Sequence, residues 1–237
     1  MIEFFLNFLP EKSPFLNLFS YLSTRTILAT LTGLIIVIFC GDYFINKIRS
    51  LQFKQSIGDR GPESHKAKDG TPTMGGLLVV GAVIFSGLLW GDLNSKYILI
   101  SLFCLISFGL IGFVDDYKKI QEKNSKGISS QTKLFYQFIA ACAISIALFM
   151  TASSEAEYSY IVPFFKDVFL DFGFWFVFIS IFILVGSSNA VNLTDGLDGL
   201  AILPVIIITA ALGVIAWASG NVIAVSYTHL RAHETTD

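Results

Sequence analysis

Charge is what this sequence has least of. Lys, Arg, Asp and Glu make up 14% of its 237 residues, against about 25% in an ordinary soluble domain. The shortfall argues against a water-solvated globule and points to lipid as the solvent, since 54% of the residues are hydrophobic. The net charge of −2 leaves no basic balance to hold a nucleic acid. Cysteine is scarce too. Cys40, Cys104 and Cys142 lie in apolar runs without the spacing of a metal pair, and three thiols cannot all close into intramolecular disulfides. They read as small buried hydrophobes. His65, His229 and His233 have no spacing with cysteine that suggests zinc. The chain has no internal repeat, no low-complexity tract and no linker long enough to separate two domains.

What the chain has instead is long apolar runs. A bilayer core about 30 Å thick takes roughly 20 apolar residues in a helix. Six segments qualify, at approximately Thr26–Phe44, Met74–Trp90, Tyr97–Val114, Leu134–Thr151, Phe172–Ser188 and Gly199–Ala218. The expected fold is therefore an all-α polytopic membrane protein with a single helical domain over residues 1–225. Met1–Ser23 does not read as a secretory signal, because Glu3 precedes any lysine. Its Phe4, Phe5, Phe8 and Leu9 are broken from Phe15, Leu18 and Phe19 by Pro10 and Pro14, which reads as a short aromatic segment at the interface.

The few charges are clustered. Asn46–Pro72 carries six basic residues and Asp115–Lys133 carries five, eleven of the sixteen in the chain. The alternate loops, Gly91–Lys96 and Ala152–Asp171, hold only Lys96 and Lys166. Positive loops stay in the cytoplasm, so the N-terminus is expected outside. The external Glu155–Asp167, with Tyr158, Tyr160, Phe164 and Phe165, reads as a small hairpin or an aromatic anchor rather than as chemistry.

Three motifs fall on the cytoplasmic face. The first, Lys68 to Gly76, combines Gly70, Gly75 and Gly76 with Pro72, Thr71 and Thr73 at the entry to span two. Its amides and hydroxyls suit an anion beside a lysine, and equally a capped helix entry with a snorkelling lysine. The second, Gly112 to Lys119, puts Asp115 and Asp116 at the expected end of span three, where carboxylates oppose the helix dipole and repel each other. A cation between or beside them resolves both conflicts. Mg²⁺, which takes carboxylate and phosphate oxygens while keeping waters, is suitable. Lys118 and Lys119 read as topology charges complementing the helix end. The third, Ser187 to Gly199, joins spans five and six without a lysine or arginine. Asn189, Asn192, Thr194, Asp195 and Asp198 place polar groups near membrane depth, where they are costly without a role. Helix capping explains one aspartate there, but not two interleaved with glycines after two asparagines. Such amides and carboxylates suit a nucleobase edge and a ribose.

At these residues the sequence resembles the phospho-N-acetylmuramoyl-pentapeptide transferase family, within the polyprenyl-phosphate sugar-1-phosphate transferases. The resemblance is carried by Gly61-Pro-Glu-Ser-His through Gly76, Gly112 through Lys119, Asn189 through Ala201, Val162 through Val168 and Ala216 through Asn221. It implies a Mg²⁺-assisted reaction of UDP-N-acetylmuramoyl-pentapeptide with undecaprenyl phosphate at the cytoplasmic face of a bacterial inner membrane, giving lipid I and UMP. By the matching motifs, Asp115 and Asp116 belong to the catalytic centre. Asp115 activates or orients the lipid phosphate, and Asp116 acts with the metal or the phosphates. Lys68, Thr73, Asn192, Asp195, Gly196, Leu197 and Asp198 surround the uridine and diphosphate. Lys133 adds positive potential or simply snorkels at the start of span four. A homodimer is compatible with the resemblance.

The family implies about ten spans of roughly 20 residues each, with a later cytoplasmic aspartate and a histidine-rich loop that have no counterpart here. Residues 226–237, ending Arg-Ala-His-Glu-Thr-Thr-Asp237, read as a non-native tail from a truncated gene or a cloning scar. The expectation is that this polypeptide alone forms no lipid I. Two other readings stand beside this one. A relative transferring N-acetylglucosamine-1-phosphate shares the aspartate pair, and a transporter predicts acids in mid-span rather than at span ends.

Overall fold

The computed structural model describes residues 18–50, 74–122, 127–161, 169–194 and 200–220. Six helices account for nearly all of them: α1 (Leu22–Ser50), α2 (Gly76–Trp90), α3 (Lys96–Glu122), α4 (Ser130–Thr151), α5 (Trp175–Thr194) and α6 (Ile202–Gly220). Each coincides with one of the six apolar runs. Helices α1, α3, α4 and α5 are long and apolar enough to cross a membrane, while α2 and α6 are shorter apolar helices. The chain is an all-α, multi-pass membrane protein. Helix α2 has 15 residues, about 22 Å at 1.5 Å per residue. It starts two residues later than its apolar run because Met74 adopts φ 72°, which no right-handed helix accommodates.

The polarity of the molecule is that of a protein dissolved in lipid. Leu34, Ile35, Ile38 and Phe39 on α1 and Phe178, Phe182 and Ile183 on α5 are exposed, whereas much of the interior is made of small or polar residues: Ala82, Ser86, Ala141 and Ser145. Hydrocarbon gives large apolar side chains no reason to turn inward, so helices associate where small residues let backbones approach. Gly109 of α3 shows the constraint. A Cβ there would lie 3.3 Å from Val80 of α2, tighter than most packed contacts. On α4 the buried positions Gln137, Ala141, Ile144 and Ser145 recur at helical spacing, and Ala141 packs with Val177 and Ile181 of α5.

Two compact units divide within α5, Met1–Val185 and Gly186–Asp237. In the first, consecutive helices α1 to α4 pack pairwise and alternate in direction. At one end the Trp90 indole N–H donates to Thr32 Oγ1 (2.9 Å). Close by, Lys96 at the start of α3 binds the Thr151 carbonyl at the end of α4. The Lys96 ammonium also reaches Ser153 Oγ (2.9 Å) and Glu157 (3.0 Å), and the Tyr97 hydroxyl donates to Glu157 at 2.5 Å. Hydrogen bonds from Tyr97, from the Ser153 amide and from Lys96, in that order, hold the Glu157 carboxyl down to about 2. Beyond this clamp, β1 (Ser159–Ile161) pairs antiparallel with β2 (Phe169–Asp171), Tyr160 opposite Leu170. Of the expected segment Glu155–Asp167, β1 is the part that pairs, with a strand that starts just past the segment's end. The expected interfacial stretch Met1–Ser23 is described only from Leu18, as a 3₁₀ turn over Leu18–Ser20 leading into α1.

In the second unit, α6 begins at Ile202 rather than Gly199. Pro204 fits the first turn of a helix, where its missing N–H is not needed, but not its interior. The third motif also differs from the expected loop. Helix α5 runs to Thr194, whose hydroxyl donates to the Ala190 carbonyl (2.6 Å). Asn189, Asn192 and Thr194 are thus helical residues. No glycine or proline interrupts the run from Ser187 until Gly196.

Candidate active site

Helix α3 does not stop where its apolar run stops. It continues through Asp115-Asp-Tyr-Lys-Lys-Ile-Gln-Glu122, which has no glycine or proline and is laced by ion pairs one turn apart. Lys119 Nζ lies 2.7 Å from Asp115 Oδ2 and 3.1 Å from Asp116 Oδ1, and Lys118 pairs with Glu122 at 3.6 Å. In Asp115–Lys119 the acid stands four residues before the base, the favourable order on a helix. This corrects the sequence argument. The two aspartates lie nearly two turns inside the helix, where the dipole of its end has faded. Their mutual repulsion is relieved by Lys119 rather than left for another cation alone.

The chain then turns on Gly127, at φ +61°, a conformation that side chains rarely adopt. A Cβ at Gly127 would sit 2.5 Å from Asp115 Oδ1, so the backbone passes against the carboxylate itself. The next amide, Ile128 N–H, donates to that oxygen at 2.9 Å. Ser129 caps α4, accepting from the Thr132 amide at 3.2 Å. One turn on, Lys133 brings its ammonium to 3.9 Å from Asp115 Oδ2. Asp115 is thereby fixed on both oxygens and is only 7% exposed. Asp116 is different: 43% of its side chain is exposed.

Asp116 also marks the mouth of an apolar groove of about 360 Å³ between α2 and α3. Met74, Val80 and Gly81 form one wall and Gly109, Leu110 and Phe113 the other, and Asp116 is the one charged residue in the lining. The groove reaches Ile84 and Ile106, ten residues into the helix from Asp116, so about 15 Å along the axis. An apolar chain lying there would have its polar head at Asp116.

Of the expected site residues, the structure brings Asp115, Asp116 and Lys133 together. Asn192 is on the last turn of α5, in the second compact unit. Lys68, Thr73, Asp195, Gly196, Leu197 and Asp198 lie outside the described residues. Lys119 and Gly127 were missed. The Asp-x-x-x-Lys spacing was in the sequence, but becomes a signal only once the helix is known to continue past Val114. The Ile128 amide, a backbone group, leaves no trace in residue types.

Asp115 and Asp116 are the residues that would hold a divalent cation, since one oxygen of each converges on a single ammonium. Among the described residues no group of three or more His, Cys, Asp or Glu side chains forms a cage. Two carboxylates suit a metal that keeps waters and takes substrate phosphate oxygens.

Comparison with known families gives the chain its class. The family model of glycosyl transferase family 4 matches residues 98–232, more than half of the chain, and the chain belongs to that family. It is a transferase of the polyprenyl-phosphate sugar-phosphate class. The matched segment contains the second and third motifs, follows the first, and extends past Val225.

Proposed function

We propose that this centre serves the transfer of phospho-N-acetylmuramoyl-pentapeptide from its UDP-linked donor to undecaprenyl phosphate, with Mg²⁺, forming lipid I and UMP for bacterial peptidoglycan. The observation that carries the reading is the meeting of Asp115, Asp116 and Lys119 beside an apolar groove that Asp116 lines. A lipid phosphate has to present its head at the membrane surface while its tail stays in hydrocarbon, and a groove ending at Asp116 serves both needs. The motif resemblance supplies the particular donor.

In this reaction an oxygen of the lipid phosphate attacks the sugar-linked β-phosphorus. The bond from that phosphorus to the bridging oxygen of the α-phosphate breaks, and UMP leaves with the electron pair. A bound Mg²⁺ would supply charge neutralisation on the phosphates, held by Asp116 with Asp115. Asp115, locked by Ile128 and two lysines, orients the attacking phosphate. Lys133 adds positive potential where negative charge builds. Lys68, Thr73, Asn192, Asp195, Gly196, Leu197 and Asp198 are assigned to the uridine and diphosphate.

Donor binding tests the assignment. With the chain in lipid nanodiscs and Mg²⁺ present, UDP-N-acetylmuramoyl-pentapeptide is expected to bind about tenfold tighter than UDP-N-acetylglucosamine, the scale of one or two extra polar contacts. Equal affinities, or the reverse order, would overturn it in favour of an N-acetylglucosamine-1-phosphate transferase.

A further inference from the structure

A single ammonium, that of Lys119, takes one oxygen from each aspartate, at 2.7 Å and 3.1 Å. The other oxygen of Asp115 accepts from the Ile128 amide. The two oxygens that already converge are Oδ2 of Asp115 and Oδ1 of Asp116, so a cation bridging the pair there would take atoms that Lys119 holds. We propose that Lys119 and a divalent cation are alternative occupants of the carboxylate pair, with Lys119 keeping the site closed until the metal arrives and its ammonium leaves. The inference rests on the reading of this centre as a cation-assisted one, and assigns Lys119 a positioning role within it.

Two physical arguments support exclusion. Two positive charges within contact distance of the same oxygen repel strongly at a site largely shielded from water, as Asp115 is. Lysine is also the residue suited to leaving, since its charge rides on a flexible four-carbon stem and its side chain here is 36% exposed. Lys133 cannot substitute for it: it stands at 3.9 Å from Asp115, beyond hydrogen-bond reach. Lys118 shares the helix end but pairs with Glu122 at 3.6 Å and makes no ion pair with either aspartate. It serves as the internal control for a loss of one positive charge.

The test is Mn²⁺ binding to the 237-residue chain in zwitterionic nanodiscs, read by the electron paramagnetic resonance signal of free Mn²⁺. No turnover is needed. Lys119→Met and Lys119→Gln are expected to bind Mn²⁺ about tenfold or more tighter than the parent chain, and Lys118→Met within about threefold of it. Adding Asp116→Asn to Lys119→Met is expected to abolish the gain. Two variants at position 119, each checked for a monodisperse gel-filtration peak, keep a folding defect from imitating a result. Unchanged or weaker Mn²⁺ binding in both folded variants would overturn the inference and leave the proposed reaction standing. So would an equal gain in Lys118→Met, because the effect would then be general surface charge. If neither the parent nor any variant binds Mn²⁺, the cation-assisted reading fails, and the role of Lys119 fails with it.

Discussion

The Ile128 amide lies 2.9 Å from Oδ1 of Asp115, a residue thirteen positions earlier, and this bond closes the turn from α3 into α4. It forms only because Gly127 carries the chain through φ +61° with no side chain in the way. Gly127→Ala would meet two obstacles at once: a disfavoured backbone conformation and a Cβ 2.5 Å from the carboxylate. The expected cost is roughly 1–3 kcal/mol, seen as a lower midpoint of thermal unfolding in detergent. A change of Gly127→Ala that left the midpoint in place would show that the turn is not held as described.

The two aspartates should respond differently to the same substitution. Asp115→Asn removes the counter-ion that Lys119 and Lys133 share and disturbs a nearly buried carboxylate. It is expected to destabilise the chain by about 1–3 kcal/mol. Asp116→Asn breaks one contact of a half-exposed side chain, which is expected to cost less than about 1 kcal/mol. Denaturant titration of both variants in one lipid preparation gives the order directly. Equal losses would mean that burial does not distinguish the pair.

At the opposite end of the first unit, α1 and α2 are tied by the Trp90 indole donating to Thr32 Oγ1 at 2.9 Å. Thr32→Val keeps the shape but leaves a partly buried N–H without its acceptor, at a cost of roughly 1–3 kcal/mol. Trp90→Phe removes the donor instead. Made together, the two changes are expected to cost less than the sum of their separate effects, because the orphaned group of one is absent in the other. Additive losses in a double-mutant cycle would dismiss the bond as a contributor.

The six helices were legible because lipid imposes a simple rule: apolar runs of spanning length become helices, and little else is stable there. Their ends were less so. Asp115 to Glu122 look like a loop to any reading based on hydropathy, yet Asp115–Lys119 and Lys118–Glu122 pairs carry the helix onward. Ser187 to Thr194 behave likewise, as a polar run with no breaker before Gly196. That Asp115 and Asp116 need a cation beside them was legible from the cost of placing them side by side; that Lys119 supplies one was not. That Asp115 is locked while Asp116 opens onto a groove was not, since it depends on a glycine turn twelve residues after Asp115 and on the face α3 shows to α2.

Glu157 gives the chain an acid-sensitive latch far from the aspartate pair. Its carboxyl is held at about 2 instead of 4.5 by Tyr97, the Ser153 amide and Lys96. A depressed carboxylate contributes stability that is fully present above its unfolded value and is lost as pH falls through its folded one. The contribution should thus be complete at pH 5 and above and vanish between about pH 4.5 and 2, with other acids adding their own slopes. Glu157→Gln should lower the unfolding midpoint at pH 7 and flatten its pH dependence in that window. Because the latch joins α3 to the segment after α4 at the end away from Asp115, donor binding at pH 7 should be unchanged in this variant. A Glu157→Gln chain that kept the parent's slope below pH 4.5 would show that other carboxyls, not this latch, set the acid limit.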